Sequence, residues 1–80
     1  MDTALIKYHM AKYGDSLQDL ADALGIHKTT LSSKINGRDE FKQGEINIIV
    51  ARYGLSPAET MKVFFNDLEV AEKATEGGAV

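Results

Sequence analysis

Lys28, Thr29, Ser32, Ser33, Asn36 and Arg38 lie in an eleven-residue stretch that holds no carboxylate. Their side chains combine cations, hydroxyls and an amide. Lysine donates to guanine O6 and N7, a threonine methyl matches the methyl of thymine, and serine bonds to several base edges. Arginine and exposed backbone N–H groups suit phosphate oxygens. From Ile26 to Ile35 the apolar residues are only Ile26, Leu31 and Ile35. A helix with so narrow an apolar stripe can hold its domain by one edge. The rest of it, including Lys34, is left as a broad polar and basic face that fits a DNA major groove.

Two neighbours extend this set. Gln18, near the start of the preceding helix, is placed to meet a phosphate with help from the helix dipole. His27 stands just before Lys28, where it serves as a cap or a phosphate-side contact. A metal site at His27 is not expected, because His9 is the only other histidine and there is no cysteine. Ser32, His9 and Asp19 do not make a catalytic set, since nothing activates a nucleophile or holds an oxyanion. No enzyme activity and no cofactor are expected.

The elements that must position these residues are helical throughout, with no strand-like run. Thr3–Tyr13 reads as the first helix, with Leu5, Ile6, Met10 and Tyr13 on its inner side and Gly14 ending it. Ser16 caps the second helix, and Asp19 completes a capping box. Gly25 supplies the left-handed turn to the third helix, Lys28 to about Asn36, which Asn36-Gly37 stops. The fourth runs from Gln43 to Tyr53 on Ile46, Ile49, Val50 and Tyr53, with Phe41 stapling its entry. Ser56-Pro57-Ala58-Glu59 opens a fifth that reaches about Phe65.

Eighty residues with 44% hydrophobic content support one small core. No apolar run has the length of a membrane span and no signal-peptide pattern is visible, so a cytoplasmic protein with no membrane contact is expected. The net charge of -3 opposes nucleic-acid binding at first sight. Residues 66–80, however, hold Asp67, Glu69, Glu72 and Glu76 against one Lys73, so they account for all of it. The expected division is a helix-turn-helix DNA-binding domain at 1–66 and an acidic C-terminal tail at 67–80.

Leu20-Ala21, Leu24-Gly25-Ile26, Leu31-Ser32, Ile35 and Asn36-Gly37 together resemble the Cro/C1-type, phage-repressor-like DNA-binding family over about residues 3–65. The stretch from Glu40 to Ile46 and Val63-Phe64-Phe65 look like small Cro-like repressors of prophages and mobile elements. The resemblance implies an all-α, lambda-repressor-like five-helix domain whose helices 2 and 3 form the helix-turn-helix. It also implies a transcriptional regulator that reads double-stranded, palindromic operator DNA as a homodimer. Base reading maps onto Lys28, Thr29 and Ser33, and phosphate contact onto Asn36–Arg38. No small-molecule effector is expected at this length.

Three positions depart from the family pattern. Leu17 stands where a phosphate-holding glutamine is usual, His27 where serine or threonine caps helix 3, and Lys42 where helix 4 would be capped. Leu17 and the negative charge keep a second reading in view, a protein-interaction module on the same scaffold. Ile48, Met61, Val63, Phe64 and Phe65 exceed the obvious need of a small core. They are divided between core packing and a dimer surface.

Overall fold

A computed structural model describes residues 2–65 of the chain. They form α1 (Thr3–Lys12), α2 (Leu17–Leu24), α3 (Lys28–Ile35), α4 (Gln43–Tyr53) and α5 (Pro57–Phe64), with no strand among the described residues. The acidic tail, and any continuation of α5 into it, lie outside them. None of these helices is long and apolar enough to cross a membrane.

The helix starts follow from local side-chain chemistry. The Ser16 hydroxyl accepts from the Asp19 amide at 3.0 Å, while the Asp19 carboxylate accepts from the Ser16 amide at 2.9 Å. Ser56 and Glu59 repeat this reciprocal pair at α5, with Pro57 next to the cap. At α4 half of the device survives. Lys42 has no acceptor to offer, and Glu45 reaches back to the Lys42 amide at 2.8 Å. Asp2 caps α1 by accepting from the Leu5 amide.

Gly25 turns α2 into α3. Its φ of +70° places the Gly25 and Ile26 amides on the carbonyls of Asp22 and Ala21. A side chain in this left-handed conformation would cost roughly 1–2 kcal/mol. The turn sets α2 and α3 against each other, and α2 also packs on α4 while α1 packs on α5.

The core draws on every helix. Ile6 and Met10, Leu20, Ala21 and Leu24, Leu31 and Ile35, Ile49 and Tyr53, and Leu55 and Val63 form one buried cluster, with Leu17, Ile26, Val50 and Phe64 against its margin. Burying one such side chain contributes about 1.5–3 kcal/mol, so a core this small has little to spare. Phe64 is half-buried and meets Phe41 edge-on at 5.4 Å, so the Phe41 ring is engaged with α5. Ile48 and Met61 remain exposed.

Tyr13 departs from the expectation. It is half exposed rather than part of the inner stripe of α1. The helix stops at Lys12, and the chain turns at Gly14, with φ +71°, so position 13 no longer follows the helical spacing. The Tyr13 hydroxyl instead donates to the Tyr53 carbonyl at 2.9 Å, and its ring lies against Tyr53.

Beside this contact, Asp15 takes both a bidentate bond from Arg52, at 2.6 and 2.8 Å, and the Tyr53 hydroxyl at 2.7 Å. Hydrogen bonding to Arg52 holds the Asp15 carboxyl below the usual carboxylate range, against the opposing effect of burial. Burial, reinforced by the carboxylate beside it, pushes the Tyr53 hydroxyl well above its ordinary value. Buried His9 stacks on the same tyrosine at 6.2 Å.

Candidate nucleic-acid interface

The third helix is held by its inner edge. Leu31 is fully buried and Ile35 is 3% exposed. Thr3 adds a bond from α1, its hydroxyl donating to the Ile35 carbonyl at 2.8 Å. On the other side Lys28, Thr29 and Asn36 are exposed, and Ser32 and Ser33 are half-buried. The sequence-predicted residues of α3 thus share one face on an anchored helix. Arg38 is exposed just beyond it.

The helix begins at His27, whose Nδ1 accepts from the Thr29 amide at 3.4 Å and lies 3.0 Å from the Thr29 hydroxyl. That cap needs an unprotonated Nδ1. It also engages the Thr29 hydroxyl, leaving the methyl as the free group of that side chain. No acidic residue stands in the first turn of α3. Every other helix has a carboxylate at its start: Asp2, Asp19, Glu45 and Glu59. A helix N-terminus carries partial positive charge, and among the described helices only that of α3 is left without an anion.

The end of α3 is a tight turn. Gly37, with φ +81°, lets its own amide reach the Lys34 carbonyl at 3.2 Å and the Arg38 amide reach the Ser33 carbonyl at 2.9 Å. These paired bonds close the helix and set Asn36, Gly37 and Arg38 at its exposed corner.

Gln18 is exposed on the first turn of α2, and its side-chain amide donates to Asp22 at 2.8 Å. The start of α2 is closed by its own Asp19. Leu17 is half-buried against the core.

Lys34 corrects the sequence reading. It is not part of the polar face but is 3% exposed. Its ammonium donates to the Glu40 carbonyl at 2.9 Å and pairs with Glu45 at 3.2 Å. Leu31, Lys34 and Ile35 follow the i, i+3, i+4 spacing of a buried stripe, so the pattern marked position 34 as inward even though its residue type did not. The basic face of α3 and its following turn therefore rests on Lys28 and Arg38.

A residue passed over in the sequence also lies here. Exposed Lys7 of α1 lines a cavity of about 290 Å³ with Leu17, Ser32 and Asn36. It brings a third cation next to the face of α3, where Leu17 offers no polar group.

A family model described as helix-turn-helix matches residues 6–59, well over half of the chain. Among curated proteins and solved structures no match is found. The matched segment spans the Gly25 turn, the anchored α3 and its exposed polar face. The chain belongs to the Cro/C1-type helix-turn-helix family of DNA-binding regulators.

Proposed function

We propose that this chain is a sequence-specific transcriptional repressor of the kind carried by phages and mobile elements, which lays α3 in the major groove of a palindromic operator. The observation that carries this reading is the exposed set Lys28, Thr29 and Asn36 on a helix pinned by Leu31 and Ile35. Lys28, Thr29 and Ser33 read base edges. Ser32 supports them from the same face, and His27 and Gln18 approach the backbone. The Asn36 and Arg38 side chains hold phosphates. Residues 1–66 are the DNA-binding domain, and 67–80 are an acidic tail that opposes phosphate contact. The protein works in the cytoplasm, on DNA.

One such helix reads too few base pairs to define a site in a genome. The reading therefore includes a homodimer, at least on DNA, with half-sites about one helical turn apart, roughly 34 Å. Exposed Met61 and half-buried Phe65 place apolar surface on and beside α5 for that contact.

The test is an electrophoretic shift with the intergenic DNA beside the gene for this chain, followed by footprinting. A retarded complex that resists random competitor and protects two half-sites is the expected result. Equal competition by random DNA overturns sequence specificity, and protection of a single half-site by a monomer overturns the dimer. A second reading, a protein-interaction module, is favoured by one observation: α2 presents Asp19 and Asp22, both exposed, on either side of its first turn's end and near Gln18. Binding to another regulator with no shift of any DNA is the result that selects it.

A further inference from the structure

Lys34 and Glu45 form an ion pair almost wholly withdrawn from water, with side chains 4% and 10% exposed. One ammonium gathers the far limb of the connector between α3 and α4. It donates to the Glu40 carbonyl at 2.9 Å, pairs with Glu45 at 3.2 Å and lies 4.0 Å from the Asp39 carboxylate. The Glu45 oxygen that faces it also accepts from the Lys42 amide at 2.8 Å. The near limb is fixed by backbone alone, the Gly37 and Arg38 amides meeting the carbonyls of positions 34 and 33. The Lys34 side chain thus holds the far limb of the 36–42 connector, directly after its exposed corner Asn36, Gly37 and Arg38.

Buried ion pairs are poor stabilisers. The desolvation of both charges largely cancels their attraction, and apolar pairs of similar volume often do as well or better. What an apolar pair cannot supply is direction. It has no donor for the Glu40 carbonyl and no acceptor for the Lys42 amide, so the connector would lose the bonds that shape it.

We infer that Lys34, with Glu45, is a positioning residue for DNA binding: by fixing residues 39–42 the pair sets the connector so that the Arg38 side chain meets a phosphate. This inference rests on the phosphate role given to Asn36–Arg38 above. It assigns the pair no contact with DNA.

The experiment compares the whole chain with Lys34→Met/Glu45→Leu and with Arg38→Ala. The double variant leaves net charge unchanged, so any change in salt dependence comes from geometry. Its unfolding midpoint should equal or exceed that of the parent, while amides 39–42 exchange hydrogen faster. Its affinity for operator and random DNA alike should fall several-fold. The slope of log affinity against log salt should become shallower by about one, as expected when one phosphate contact is lost, and as in Arg38→Ala.

Parental affinity and slope in the double variant, with a shallower slope in Arg38→Ala, overturn the inference alone. An unchanged slope in Arg38→Ala overturns the phosphate role of the connector, and the inference falls with it. Should the double variant not fold, Glu45→Gln is read instead, since its amide oxygen still accepts from Lys42. Weaker DNA binding despite the gain of one positive charge supports the inference, and equal or tighter binding overturns it.

Discussion

The second and third helices have the same length, eight residues, and share one core, yet their N-termini are built in opposite ways. α2 is closed twice, by the Ser16 hydroxyl and by the Asp19 carboxylate. α3 starts on a histidine ring with a 3.4 Å bond, and its first residue is a lysine. A carboxylate in the first turn stabilises a helix by about 0.3–1 kcal/mol through the macrodipole. The same carboxylate would repel a phosphate. The chain places carboxylates at the starts of α1, α2, α4 and α5 and withholds one from α3. The difference teaches that the one start left open to an anion, as the proposed function requires, forgoes a stabilisation that the other four retain.

The largest expected effect tests the open end. Lys28→Ala should cost roughly 1–3 kcal/mol on the operator and much less on random DNA, measured by parallel titrations. Equal losses on both would make Lys28 a phosphate contact and leave the base-reading role elsewhere on α3.

Next comes the closed end. Ser16→Ala should lower unfolding stability by about 1 kcal/mol, whereas His27→Ala should lower it by only a few tenths, roughly, because the imidazole bond is long. Denaturant titrations decide this, and similar losses at the two caps would erase the contrast.

A third substitution turns one end into the other. His27→Asp should raise stability by about 0.5 kcal/mol, since aspartate is a good cap beside a positive helix end. It should weaken DNA binding at the same time. A gain in stability with unchanged affinity would show that the start of α3 stands away from phosphates.

The smallest effect serves as a control outside both termini. Asp15 has a lowered folded pKa, so its contribution is fully present above the unfolded value of about 3.9 and is lost as pH falls through the folded one. Asp15→Asn should cost roughly 0.5 kcal/mol or less at neutral pH. Parent and variant should converge in acid, with operator affinity unaffected at pH 7. A difference that persists in acid strong enough to protonate Asp15 in the folded protein would mean that the brace acts through packing and not through charge.

The parts of this molecule legible in its sequence are those fixed over short distances. Ser16 to Asp19 and Ser56 to Glu59 are three residues apart, and Gly14, Gly25, Gly37 and Gly54 each end a helix by a property of their own backbone. The five helices and the polar face of α3 follow from such local rules. The Asp15–Arg52 brace joins residues 37 positions apart, and neither side chain carries a mark of its partner. Tyr13 escapes the helical spacing because α1 ends one residue before it. Lys34 shows the sharper lesson. Spacing marks its position as buried, while its charge marks the residue type for the surface. Only Glu45, in the next helix, reconciles the two.

The Asp2 amide donates to the Val63 carbonyl at 2.9 Å. The entry and the exit of the five-helix unit therefore meet at a single hydrogen bond. A unit closed in this way can be spliced into a loop of another protein without prying that loop apart, because its two attachment points occupy the span of adjacent residues. The same closure makes the seam a mechanical weak point. A pull applied between the two ends would load the α1–α5 contact directly.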